Sequence, residues 1–204
     1  MLEIISLISL ILIIGMLRRI VDLLPGVFAC ILRSAACVKI DSIVKTSRDR
    51  DLTAAILILP FLMTVQKYNL LPYRFLDTLS QEAGFAVIVA IFAGFLALRL
   101  CSSFLFIPSR SHKKSRVPDN SDRTFFIILA ILTLSISWLM SLVNIEYSAI
   151  RLTIIWLSAA MYMLYLMRKF QIFQTSHSIF AAFLYLCALE IVPAGILVVS
   201  VIIF

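Results

Sequence analysis

With 204 residues, 62% of them hydrophobic and 14% charged, and a mean hydropathy of +1.07, this chain is far too apolar for a soluble domain, which is about half apolar and about a quarter charged. Continuous apolar runs with few glycines and no alternating polar and apolar segments exclude an outer-membrane barrel and leave membrane helices. The net charge of +7 is not a nucleic-acid signature, because the basic residues fall in the gaps between apolar runs, the pattern that orients helices in a bilayer.

The expected fold is all-α: a polytopic transmembrane bundle of about six spans in one membrane domain. Residues 2–17 form the first span, ending at Arg18 and Arg19. A cleaved signal peptide fits poorly, since Glu3 precedes the apolar core without a lysine or arginine and no small-x-small site follows. Residues 20–51 mix apolar side chains with Asp22, Arg33, Lys39, Asp41 and Lys45 and hold no stretch long enough to span. They read as an amphipathic or re-entrant helical segment on anionic headgroups, or as a cytoplasmic hairpin packed on the bundle.

Residues 52–71 make the second span, with Pro60 inside it, and residues 83–107 the third. The third carries Ala86, Ala90 and Gly94 at steps of four, a small-residue stripe that reads as a packing face. It also carries Arg99, about 12 Å from the Ile107 end, which either snorkels to that interface or pairs within the bundle. Residues 108–123 are a basic, mobile cytoplasmic loop containing Lys113, Lys114 and Arg116. The fourth and fifth spans follow at 124–145, with Ser137 and Ser141 at small-residue spacing, and at 149–167, closing on Arg168 and Lys169.

The last span, residues 179–204, holds the strongest anomaly. Glu190 lies roughly 16 Å into the apolar run, close to the midplane, where a carboxylate must be protonated, paired or facing water. Three residues on, Pro193 lacks the N–H that would bond the Leu189 carbonyl, leaving a bare acceptor beside the carboxyl. Arg99 is the expected partner of Glu190 if the carboxylate is ionised; the alternative is a protonated Glu190 donating to a carbonyl while Arg99 snorkels. With an outside N-terminus and six alternating spans, fifteen of the 18 basic residues fall on the inner side, so both termini are expected outside.

The runs Arg168-Lys-Phe-Gln-Ile172 and Phe183-Leu-Tyr-Leu-Cys-Ala-Leu-Glu-Ile-Val-Pro193 resemble the end of an uncharacterised bacterial integral-membrane family, a domain of unknown function. The resemblance implies that Tyr185, Cys187, Glu190 and Pro193 belong to a signature, and that the chain resides in a bacterial inner membrane. It supplies no catalytic residue.

Chemistry is otherwise marked by absences. Both histidines, His112 and His177, fall in expected inner loops, and the cysteines at 30, 37, 101 and 187 form no Cys-x-x-Cys and read as buried reduced thiols. No phosphate loop, metalloprotease motif or nucleophile elbow occurs, so no metal, cofactor or catalytic residue is expected. The first functional expectation is a non-catalytic scaffold or accessory subunit of a membrane assembly. Its basic inner face (Arg33, Lys39, Lys45, Lys113, Lys114, Arg116, Arg168 and Lys169) would meet lipid headgroups or a membrane-protein partner, not nucleic acid. The alternative is a small transporter or proton-linked device using Glu190, and the third a membrane enzyme.

Overall fold

The computed structural model describes residues 2–32, 44–71, 73, 79–106, 116–174 and 179–203. They form seven α-helices: α1 (Leu2–Leu32), α2 (Val44–Lys67), α3 (Gln81–Phe106), α4 (Arg116–Leu142), α5 (Tyr147–Gln174), α6 (Ile179–Leu186) and α7 (Val192–Ile203). A π-helical turn, Cys187–Ile191, joins the last two into one interrupted rod. The chain is an all-α membrane bundle. Among the described residues five stretches are long and apolar enough to cross a bilayer: Glu3–Cys30, Gln81–Cys101, Asp122–Leu142, Tyr147–Ile172 and Ala182–Ser200. The helix over the expected span 52–71 is less apolar than these, because α2 devotes its first turns to Arg48, Asp49, Arg50 and Asp51, but it runs the length of α4, from Asp51 beside Arg123 to Lys67 beside Tyr147.

Several boundaries depart from those expected. The first span does not stop at Leu17, and residues 20–32 are no separate interfacial element; α1 runs unbroken through Arg18, Arg19, Asp22 and Pro25. Tertiary packing explains the continuity. Leu23 and Val27 are buried against Phe125 and Ile128 of α4 and Met161 and Tyr165 of α5, so the helix has a core to pack on where hydropathy alone saw a break. The stretch 44–51 likewise starts α2, leaving only 33–43 outside the described residues. At the other polar gap, α4 begins at Arg116 instead of 124, so the second half of the expected loop is helical.

α2 lies at the centre, packed on α1, α3 and α4, while α4 also meets α5 and α1, and α3 reaches the π turn and α7. The α2–α3 seam is filled by Leu62, Val65, Phe85 and Ile88. That face leaves Ala86, Ala90 and Gly94 pointing outward, with open space where a Cβ on Gly94 would stand. Among the described residues the small-residue stripe therefore makes no packing face: bulky side chains on α3 fill the gap to α2. Of the expected buried thiols, Cys30 is buried, Cys187 half-buried and Cys101 exposed, while Cys37 lies outside the described residues.

Two helix ends share one device. Asn69 and Asn144 adopt left-handed φ values of 43° and 55°, a conformation that asparagine tolerates better than most side chains. After α2, Asn69 N–H bonds the Gln66 carbonyl at 3.0 Å and Leu70 N–H the Val65 carbonyl at 3.0 Å; after α4, Asn144 bonds Ser141 at 3.2 Å and Ile145 bonds Met140 at 3.1 Å. Both are Schellman closures, which satisfy the last helical carbonyls. Tyr147 then ties the two ends together, donating to the Lys67 carbonyl at 2.7 Å.

At the opposite end of the bundle α1, α2 and α4 are stitched by charge. Arg19 Nη1 lies 3.6 Å from Asp49 Oδ1, Arg123 pairs with Asp51, and Arg50, 1% exposed, donates to Asp51 Oδ1 at 3.1 and 3.2 Å and to Ser47 at 3.1 Å. Asp122, the neighbour of Arg123, is spent on the other side of α4.

Candidate functional site: a buried four-charge network

Four elements deliver one ionisable side chain each to a single point: Arg99 from α3, Asp122 from α4, Lys169 from α5 and Glu190 from the π turn. Arg99 Nη2 bonds Glu190 Oε1 at 2.7 Å and also contacts Asp122 Oδ2. Lys169 Nζ bonds the same Glu190 oxygen and lies 3.2 Å from Asp122 Oδ1. The Tyr165 hydroxyl sits among them. It accepts from Arg99 at 2.6 Å and from Lys169 at 2.9 Å, and donates to Asp122.

Among the described residues the cluster matches two basic side chains with two acidic ones, an arrangement that lets each charge find an opposite partner. Exposure grades across it. Lys169 is 2% and Glu190 5% exposed, whereas Asp122 and Arg99 retain 17% and 22%, so the Lys169–Glu190 side of the network is the more deeply sealed. Its floor is the apolar cluster of Leu23, Val27, Phe125, Ile128 and Met161 beneath Tyr165, with Phe125 edge-on to the Tyr165 ring at 5.6 Å. An apolar floor lowers the local dielectric, which strengthens each hydrogen bond and raises the penalty for losing a partner. Arg99 and Lys169 lie 5.9 and 5.4 Å from the Tyr165 ring centre, but both bond its hydroxyl. They stand off its polar end, and the contact is a hydrogen bond to oxygen rather than a cation–π interaction.

Local sequence explains how α5 and the last rod meet. Tyr162, Tyr165 and Lys169 fall at helical spacing on one stripe of α5. Tyr162 completes the seam, donating to the Glu190 carbonyl at 3.0 Å while the lower two residues serve the carboxylate network. The π turn has its own cause. A proline ring clashes with the carbonyl four residues back and offers it no donor, and Pro193, fully buried, stands immediately after Val192, whose N–H reaches back five residues to Cys187. Widening the turn relieves the interruption. Tyr162 serves the carbonyl of Glu190, one residue beyond the Leu189 carbonyl read as bare from the sequence.

Among the residues anticipated for a site, Arg99 and Glu190 meet, with Pro193 and Cys187 in or beside the π turn. Tyr185 lies in α6, its side chain outside the description. The basic surface fares differently. Lys169 is no headgroup ligand: it is withdrawn into the network, because an α5 longer than expected carries it down the same face as Tyr165. Arg168 bonds Gln171 at 2.7 Å. Lys45 and Arg116 belong to α2 and α4 with side chains undescribed, and Arg33, Lys39, Lys113 and Lys114 lie outside the described residues. Asp122 and Tyr165 were missed. The available signal was depth: Asp122 borders the fourth apolar run and Lys169 the fifth, both at the end toward which Arg99 points.

Comparison with protein-family models, with curated proteins and with solved structures finds no match to this chain.

Proposed function

We propose that this chain is a non-catalytic scaffold or accessory subunit of a membrane assembly. One observation carries the reading: the Glu190 carboxylate is held by Arg99 and Lys169 together, and its backbone carbonyl by Tyr162, so the intramembrane acid is committed to joining α3, α5 and the last rod. A transport carboxylate needs a partner it can release. Kinship with the bacterial integral-membrane family belongs to the same proposal and rests on the Phe183–Pro193 run. So do an inner-membrane location, periplasmic termini, and a cytoplasmic face that meets anionic lipid or a membrane-protein partner, which rest on the distribution of basic residues.

The π turn at Glu190 keeps the proton-linked reading as the competitor, since such turns often mark functional positions. Protein reconstituted in vesicles with a trapped pH dye is expected to dissipate an imposed gradient no faster than empty vesicles, and mild extraction from native membranes is expected to recover a stoichiometric membrane-protein partner. Proton flux abolished by Glu190→Gln, or recovery of the chain alone, would overturn the proposal. For the orientation, a cysteine at Ser115 should resist membrane-impermeant labelling of intact spheroplasts and one at Ser80 should react; the reverse pattern refutes it.

A further inference from the structure

At the end of the bundle away from the ion network, α1 and α4 part company. They touch where Leu23 and Val27 meet Phe125 and Ile128, but at the other end Ser6 and Ser9 of α1 face Ser137 and Ser141 of α4 across a cavity of about 870 Å³ closed behind by α2 and the start of α3. That volume lies in the range of small-molecule sites.

The lining has a definite chemistry. Ser9, Thr64 and Ser137 are buried, and two of these hydroxyls have already given away their protons: Ser137 Oγ donates to the Leu134 carbonyl at 3.0 Å and Thr64 Oγ1 to the Pro60 carbonyl at 2.9 Å. What they offer the cavity is acceptor lone pairs. Thr133, one turn deeper than Ser137 on α4, is fully buried with its Oγ1 unpartnered, so hydroxyls continue along this stripe of α4. Among the described lining residues Lys67 is the one ionisable side chain, placing a basic group at the cavity's mouth. The wall is apolar where it meets the membrane side. Leu10 and Trp138, 57% and 67% exposed, flank the gap between α1 and α4.

Acceptors inside, one cation at the mouth and an apolar lateral opening describe an amphiphile lying head-in and tails-out. We propose that this cavity binds a phospholipid whose headgroup joins a phosphate to hydroxyl donors. The phosphate pairs with Lys67, the hydroxyls donate to Ser and Thr oxygens, and the acyl chains leave between Leu10 and Trp138 into the bilayer. The Lys67 ammonium, exposed and 5.3 Å from the Tyr68 ring centre, is held at the mouth where a phosphate can reach it. The site is independent of the ion network and of the scaffold reading.

Native mass spectrometry of the delipidated full chain in detergent tests it, titrated in turn with phosphatidylglycerol, with phosphatidylcholine of the same chains, and with glycerol 1-phosphate. One phosphatidylglycerol per chain is expected, bound about tenfold more tightly than phosphatidylcholine, with glycerol 1-phosphate failing to displace it. Lys67→Gln should weaken that binding about tenfold, since only the exposed ammonium is removed and the Lys67 carbonyl still accepts from Tyr147. Ser137→Leu, which fills the cavity, should abolish it. Equal retention of the two lipids, or affinities unchanged in Lys67→Gln, would overturn the proposal. Displacement by glycerol 1-phosphate at the same concentration would overturn the lipid as occupant and assign the cavity to a soluble phosphate ester.

Discussion

Lys169→Met is expected to destabilise the bundle by about 3–5 kcal/mol, the cost of removing one partner from a buried charge cluster. Lys169 is 2% exposed, so solvent does little to screen the loss. The substitution keeps an unbranched stem of similar length and takes away the ammonium that bonds Glu190 and lies 3.2 Å from Asp122. Two carboxylates would then share Arg99 alone. The decisive comparison is the charge-balanced double variant Lys169→Met with Glu190→Gln, which leaves Arg99 with Asp122 and should be more stable than Lys169→Met by itself. Unfolding in mixed micelles, followed by tryptophan fluorescence, reads both. Strictly additive losses would mean that the two side chains do not couple, and would refute the network as the clamp between α5 and the last rod.

Tyr165→Phe is expected to cost about 1–3 kcal/mol, the penalty for stranding buried polar groups. The ring keeps its packing against Phe125 and Met161. Only the hydroxyl goes, and with it one acceptor for Arg99, one for Lys169 and one donor to Asp122. Tyr162→Phe is the natural control, because it removes a single hydrogen bond to a backbone carbonyl and should cost about 1 kcal/mol. Equal losses in the two variants, measured in the same micelles, would show that Tyr165 contributes as an ordinary hydrogen-bonding tyrosine and not as the hub of the cluster.

The fold class was legible because it depends on composition and run length alone: apolar stretches of bilayer length admit helices and little else. The anomaly of Glu190 was legible for the same reason, since a lone acid in an apolar run stands out without any knowledge of its neighbours. Arg99 could be matched to it by counting residues from an interface, because helical rise converts sequence distance into depth. Element boundaries were less legible. Hydropathy places breaks at Arg18 and at Arg116–Arg123, yet α1 and α4 run through them, since a polar residue ends a membrane span without ending a helix.

What only the tertiary structure decided is which faces meet. Lys169 and Asp122 look like surface charges by position, and it is the azimuth of α5 and α4 about their axes, set by packing on Leu23, Val27 and Phe125, that turns both inward to complete the cluster. Ala86, Ala90 and Gly94 illustrate the converse: their spacing suits close packing, but the Phe85 and Ile88 face of α3 wins the contact with α2 because larger side chains bury more apolar area. Sequence by itself therefore determined that this is a membrane helical bundle with an acid at its heart, through properties that each residue carries alone. The partners of that acid, and the serine-lined gap between α1 and α4, belong to pairs of helices, and no single helix specifies the rotation of its neighbour.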